Sequence, residues 1–191
     1  MGSEQMRQLS EKAVMRAEVL AARRALDPTR RAQADDALVG QVAALLRRWA
    51  VSTVAAYAPM PDEPGGPGLL DTLAEGAELL LLPLLQPDGD LDWAAYTGPD
   101  CLAGRRFRQP TGEPLGLDAI RRADLVIVPA VAVDRRRMRL GRGGGSYDRA
   151  LGRVAPGVPV VALLYDGEVR DHVPTEAHDR PVTAALTPGL P

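Results

Sequence analysis

Residues 140–148 read Leu-Gly-Arg-Gly-Gly-Gly-Ser-Tyr-Asp, which sets Gly141, Gly143, Gly144 and Gly145 around Arg142. Glycine takes positive φ at low cost and lets backbone come close to a ligand. The amide N–H groups of such a loop can converge on an anion, especially where the loop runs into a helix N-terminus. The apolar run 124–129 precedes the loop and reads as a buried strand. Tyr147 and Asp148 open a segment of helical character that follows it. Strand, glycine loop and helix together suit phosphate. The loop is neither a P-loop, since no lysine follows the glycines, nor a dinucleotide fingerprint, since counting from Gly141 puts Ser146 where the last glycine belongs. Taken alone, it is also compatible with a flexible turn that holds no ligand.

Three further groups could do chemistry. Lys12 and Arg16 lie four apart in a predicted helix and so project from one face. Lys12 is the only lysine beside 22 arginines, a position where a compact ammonium is wanted rather than a guanidinium fork. A solvated basic stripe is the competing reading. Glu63 closes the string Met60-Pro-Asp-Glu63 after the apolar run 53–58, and is otherwise an exposed turn glutamate. His172 and His178 are the only histidines. His178 beside Asp179 resembles half a metal site, although a surface histidine is the plainer reading. Cys101 is alone, which excludes an intramolecular disulfide, and no Cys/His cluster has zinc spacing.

The elements that must hold these groups follow from pattern. At 191 residues, 46% of them apolar, the chain fits a single domain over 1–191 with a substantial core. A net charge of -2 argues against a broad nucleic-acid-binding face. The greasiest run, 79–85, is too short to span a membrane and contains Pro83. Charges recur from Glu4 through Arg24, so no signal-peptide core is present, and a cytoplasmic protein is expected, monomeric or dimeric.

A helix is predicted over 3–26, with Val14, Ala17, Ala21 and Ala25 as a weakly apolar face. Asp27-Pro28 ends it and caps a second helix that reaches Trp49 through Leu38, Val42, Leu45 and Leu46. Buried strands are expected at 53–58, 78–83, 124–129, 159–165 and 181–186, with a more exposed strand at 91–96 pairing back across a Pro-Asp-Gly turn. Short helices are expected at 69–76 and 117–122, and irregular chain between 98 and 117. This order predicts an α/β fold: a three-layer sandwich with a largely parallel central sheet flanked by helices. Ligands gather at the C-terminal strand ends of such sheets. The loops after 53–58 and 124–129 therefore open on one side, which brings Glu63 and Arg142 into one cleft.

Nearly the whole chain resembles the 5-formyltetrahydrofolate cyclo-ligase (methenyltetrahydrofolate synthetase) family. The resemblance rests on Lys12-x-x-x-Arg16, Met60-Pro-Asp-Glu63, Leu91-Asp-Trp93, Gln109-Pro-Thr-Gly112, the string 139–149, Val173-Pro174 and His178-Asp179. It implies an ATP- and Mg2+-dependent enzyme that closes 5-formyltetrahydrofolate to 5,10-methenyltetrahydrofolate by phosphorylating the formyl oxygen. It also implies roles for individual residues. Lys12, Arg16 and Gly141 through Gly145 would hold the triphosphate, with Arg142 as a charge-assisted fork. Asp148 would help hold Mg2+, and Tyr147 would border the folate and phosphate junction. Glu63 would face the pterin, with Met60 and Trp93 as apolar walls. Arg105, Arg106 and Arg108 are available to the glutamate tail, a solvated loop being the plainer role for them. Gly144 and Ser146 depart from the lysine and tyrosine that some members carry in the loop. A non-catalytic nucleotide- or folate-binding relative and a sugar-phosphate- or CoA-handling α/β enzyme are the alternative readings.

Overall fold

The computed structural model describes residues 3–105, 107–176 and 179–189. In chain order its first elements are α1 (Ser3–Ala25), α2 (Pro28–Trp49), β1 (Thr53–Ala55), α3 (Gly68–Gly76), β2 (Leu79–Leu85) and β3 (Leu91–Ala95). A small hairpin of β4 (Leu102–Ala103) and β5 (Gln109–Pro110) follows, then a 3-10 turn over Leu117–Arg122 and β6 (Leu125–Pro129). The last are β7 (Ala132–Asp134), β8 (Arg139–Leu140), α4 (Ser146–Leu151), β9 (Val160–Leu163), β10 (Val169–Arg170) and β11 (Ala184–Leu186).

The apolar runs assemble in the order β11-β9-β6-β1-β2-β3. Every pair is parallel except β2 and β3, which turn back on each other. Period-two alternation splits the core between the two faces. Val54, Leu80, Leu82, Ile127 and Leu163 face one way, onto α2 and α3. Ala55, Leu81, Val126, Val128 and Ala162 face the other, onto the 117–122 turn and α4. The predicted three-layer sandwich is thus the observed one. Asp27 caps α2 as expected, its carboxylate accepting from the Thr29 and Arg30 N–H groups at 3.0 and 3.1 Å.

Four local expectations change. β1 ends at Ala55, and 56–58 run on, buried, past the C-terminal end of the strand. β3 is not an exposed strand: Trp93 and Ala94 are fully buried. The chain entering the 117–122 turn covers it, with Leu115 N–H bonded to Trp93 O and Gly116 N–H to Asp92 Oδ1, both at 2.7 Å. Between β6 and the glycine loop the chain inserts the hairpin β7–β8, which with β10 forms a second sheet. Arg137 sits in that hairpin's turn at φ 66, a left-handed conformation usually left to glycine.

The fourth change concerns α1. Val14 is 55% exposed, and Ala17, Ala21 and Ala25 are exposed with it. The buried face is Lys12, Val19 and Arg23, with Arg16 half-buried between them. These positions recur at steps of four, three and four, so they share one helical stripe. The helix docks through a small apolar cluster of Val19, Met15 and Leu20 on Val131, Leu140 and Val173, and through cations that each find a specific acceptor in the body of the protein.

Candidate active site

A cleft of about 430 Å3 opens at the C-terminal ends of β1 and β6, within the size range of small-molecule sites. The residues after β1 (Tyr57, Ala58, Met60 and Glu63) form one wall, and the glycine loop 141–145 with Ser146, Tyr147 and Asp148 forms the facing one. Lys12 and Arg16 of α1 line a third side. Trp93 is not a wall: it is fully buried in the core beneath and does not line the cleft. Arg108 lines the mouth, while Arg106 and His178, and with His178 the half metal site, lie outside the described residues.

The expected meeting of Glu63 and Arg142 takes place. Arg142 Nε donates to Glu63 Oε1 at 2.9 Å and Arg142 Nη2 to Asp62 Oδ1 at 2.9 Å. Glu63 is 5% exposed, and its other oxygen accepts the Met60 N–H at 3.0 Å. The glycine loop folds over Arg16, whose Nε donates to Gly141 O at 2.9 Å. Gly143 packs on the Arg16 guanidinium at φ 104, and a Cβ there would stand 3.5 Å from its carbon, an ordinary contact distance.

Lys12 Nζ lies 2.7 Å from Glu176 and 2.8 Å from Asp179. Burial alone would lower its pKa, but hydrogen bonds and charges from Asp179 and Glu176 outweigh burial and raise it. The ammonium therefore stays charged. Asp148 is gripped by Arg139, whose Nη2 meets Oδ1 at 2.8 Å, and the Arg180 N–H reaches the same oxygen at 3.3 Å. Arg139 also lies under the Tyr147 ring, 5.9 Å from its centroid, a cation–π distance. The Tyr147 hydroxyl is buried without a hydrogen-bond partner among the described residues. Burial, reinforced by the Glu63 charge and opposed by Arg139, pushes this phenol far up. It is a neutral donor aimed at nothing the protein supplies.

Sequence reasoning missed Asp62, Arg139 and Glu176 as members of this site, and it read Asp179 as half a metal site, whereas Asp179 pairs with Lys12. Arg139 stands next to the glycine loop, which is a usable signal; Asp62 and Glu176 look like ordinary surface charges.

Comparison with known proteins supplies the context. The model of the 5-formyltetrahydrofolate cyclo-ligase family matches residues 8–188. A 5-formyltetrahydrofolate cyclo-ligase from Mycolicibacterium smegmatis is 43% identical over 143 residues, covering 71% of this chain and 73% of that protein. One from Escherichia coli K12 is 30% identical over 145 residues, covering 71% and 78%. The solved 5,10-methenyltetrahydrofolate synthetase of Aquifex aeolicus superposes with a TM-score of 0.78 at 27% identity, covering 94% of this chain and 90% of that one. Matched over nearly its whole length, the chain belongs to the 5-formyltetrahydrofolate cyclo-ligase family of folate-handling ligases.

Proposed function

We propose that this enzyme couples ATP cleavage to closure of 5-formyltetrahydrofolate into 5,10-methenyltetrahydrofolate, releasing ADP and phosphate, with Mg2+ bound. The observation that carries the reading is the Arg142–Glu63 contact at 2.9 Å. It joins a phosphate-type cradle to a carboxylate that matches the donor groups of a pterin, across one cleft.

An amide oxygen is a poor leaving group, and phosphorylation makes it a good one. The formyl oxygen attacks the γ-phosphorus; the new O–P bond forms as the bond to the β-bridging oxygen breaks, and ADP leaves. The neighbouring folate nitrogen then attacks the formyl carbon and loses its proton, while the C–O bond breaks and phosphate departs. Such chemistry asks mainly for positioning and for charge to meet the transferring phosphoryl oxygens. Residues 141–145 would wrap the triphosphate, with Lys12 and Arg16 on its oxygens. Arg142 would exchange its two carboxylate partners for phosphate, which releases Glu63 to the pterin beside Met60. Tyr147 would donate its unused hydroxyl at the junction between the substrates.

The site suits Mg2+ on its own donors. Among the described residues no group of three acids or histidines is placed to cage a metal, and Asp148 carries both its hydrogen bonds on Oδ1. A single carboxylate oxygen beside a phosphate cradle is how Mg2+ is commonly held, with waters and substrate phosphates filling the other positions. Bound there through Asp148, Mg2+ would neutralise charge on the transferring phosphate.

The test mixes purified protein with 5-formyltetrahydrofolate, ATP and Mg2+ and follows the absorbance of methenyltetrahydrofolate. Product that needs all three components is expected, and absence of ATP-dependent product refutes the reading. Binding of both ligands without turnover would indicate a binding relative instead. Arg142→Ala is expected to lower kcat/KM on the order of 10²-fold; full activity would remove that arginine from the mechanism.

A further inference from the structure

Four consecutive residues leading out of the pterin side of the cleft are each held by a different side chain from below. The Arg23 guanidinium lies 3.5 Å from Asp62 O. The Tyr165 hydroxyl meets Glu63 O at 3.3 Å, and the Tyr57 hydroxyl donates to Pro64 O at 2.6 Å. Asp35 Oδ1 accepts the Gly65 N–H at 2.9 Å. These side chains come from α1, α2, the end of β1 and the end of β9, elements far apart in sequence, and all four residues are buried.

The holders are themselves fixed. Arg23 forms a two-pronged ion pair with Glu168, Nε to Oε1 and Nη2 to Oε2, both at 2.7 Å, and also reaches Ala130 O at 2.7 Å. Glu168 Oε2 accepts the Tyr165 N–H at 2.8 Å, and the Arg23 guanidinium covers the Tyr165 ring at 5.6 Å. Tyr165 in turn shares its hydroxyl with Asp35 Oδ1 at 2.9 Å. The next backbone step presses on the same acid: a Cβ at Gly66 would stand 2.8 Å from Asp35 Oδ2. A proline- and glycine-rich loop has no ladder of its own to stiffen it, and a group that must meet a substrate has to be held to within about 0.5 Å.

We propose that Tyr165 and Asp35, braced by the Arg23–Glu168 pair, are positioning residues that set the Glu63 carboxylate at the distance a pterin requires. This rests on the reading of Glu63 as the pterin-facing group. The clamp acts on backbone, so its loss leaves the chemistry of Glu63 intact and displaces it. The triphosphate side has holders of its own, Arg16 and Arg139, and meets this loop at the Arg142 side chain, which phosphate would draw away.

Steady-state kinetics and equilibrium binding of 5-formyltetrahydrofolate test this with Tyr165→Phe, Glu63→Gln and the double variant. Tyr165→Phe should weaken folate binding and raise the folate KM about five- to tenfold, the equivalent of one lost hydrogen bond, and leave the ATP KM unchanged. In the Glu63→Gln background the same change should have no further effect on folate, because the group it serves is gone. Asp35→Asn, which keeps an acceptor oxygen for both donors, should retain folate affinity, whereas Asp35→Ala should lose it. Wild-type folate constants for Tyr165→Phe, or full additivity with Glu63→Gln, would overturn the clamp alone. Wild-type protein that binds no folate would overturn the reading of Glu63 and the clamp with it.

Discussion

Tyr147 is the side chain whose surroundings say most about its task. A buried hydroxyl with no acceptor costs free energy, and this one belongs to a residue that lines the cleft with Glu63, Arg139 and Asp148. Its raised pKa keeps it protonated across the working range. Tyr147→Phe removes no hydrogen bond the protein makes, so thermal stability should stay the same or rise. If the hydroxyl serves the reacting centre, kcat should fall on the order of 10²-fold; a melting curve and a progress curve on one preparation separate the two effects. Asp148 offers the complementary case. Asp148→Asn keeps a carbonyl oxygen for the Arg139 bond but removes the charge that would attract Mg2+. A higher Mg2+ concentration for half-maximal rate is expected, with little change in folate KM, and an unchanged Mg2+ titration would take Asp148 out of metal binding.

At the scale of elements, the glycines of the loop are not equivalent. Gly143 takes φ 104 against the Arg16 guanidinium, whereas Gly144 has an ordinary φ and would place a Cβ 3.5 Å from Ser146 Oγ. Gly143→Ala should therefore strain the loop by about 1 kcal/mol or more and raise the ATP KM, while Gly144→Ala should be tolerated in both; equal tolerance would mean that the loop bends freely. The contrast also shows what could be read from the chain and what could not. The glycines are legible because they cluster at short spacing, Lys12 because it is the single lysine, and Glu63 only through the family its string resembles. Strands β2, β6 and β9 are legible because they are continuous apolar runs. Strands β7, β8 and β10, two or three residues each, are too short to show a period. Helix α1 misleads for a different reason: periodicity rules look for apolar stripes, and in its buried stripe only Val19 is apolar beside Lys12, Arg16 and Arg23. Asp62 and Glu176 escape notice, and Asp179 is read toward a metal rather than toward Lys12, since a carboxylate in sequence gives no sign of the cation it will meet.

Across the whole molecule, carboxylate–cation ties join parts that the apolar core leaves separate. The second sheet hangs on Asp134, whose buried carboxylate accepts N–H groups of Arg136, Met138 and Val173 at 2.9, 2.9 and 3.1 Å. The segment after α4 is fastened to the β2–β3 turn through Arg153 and Asp90, at 2.9 and 2.5 Å. The Arg153 hydrogen bond, opposed by burial and aided by the Leu91 N–H, holds the Asp90 carboxyl below its ordinary value. Burial alone would raise Asp134, but its backbone donors and Arg136 outweigh burial and lower it as well. In the acid range the unfolded chain then binds protons that the folded chain refuses, so stability rises with pH through that window. The contribution is complete above the ordinary aspartate pKa of about 3.9 and disappears as pH falls through the depressed folded value. Asp90→Asn should accordingly lower the melting temperature by a constant amount from pH 7 to pH 5, and the gap to wild type should close below about pH 4. Thermal melts at half-unit steps measure that gap directly. A gap that stays constant to pH 3 would mean that the Asp90 carboxylate contributes through packing rather than through its charge on Arg153.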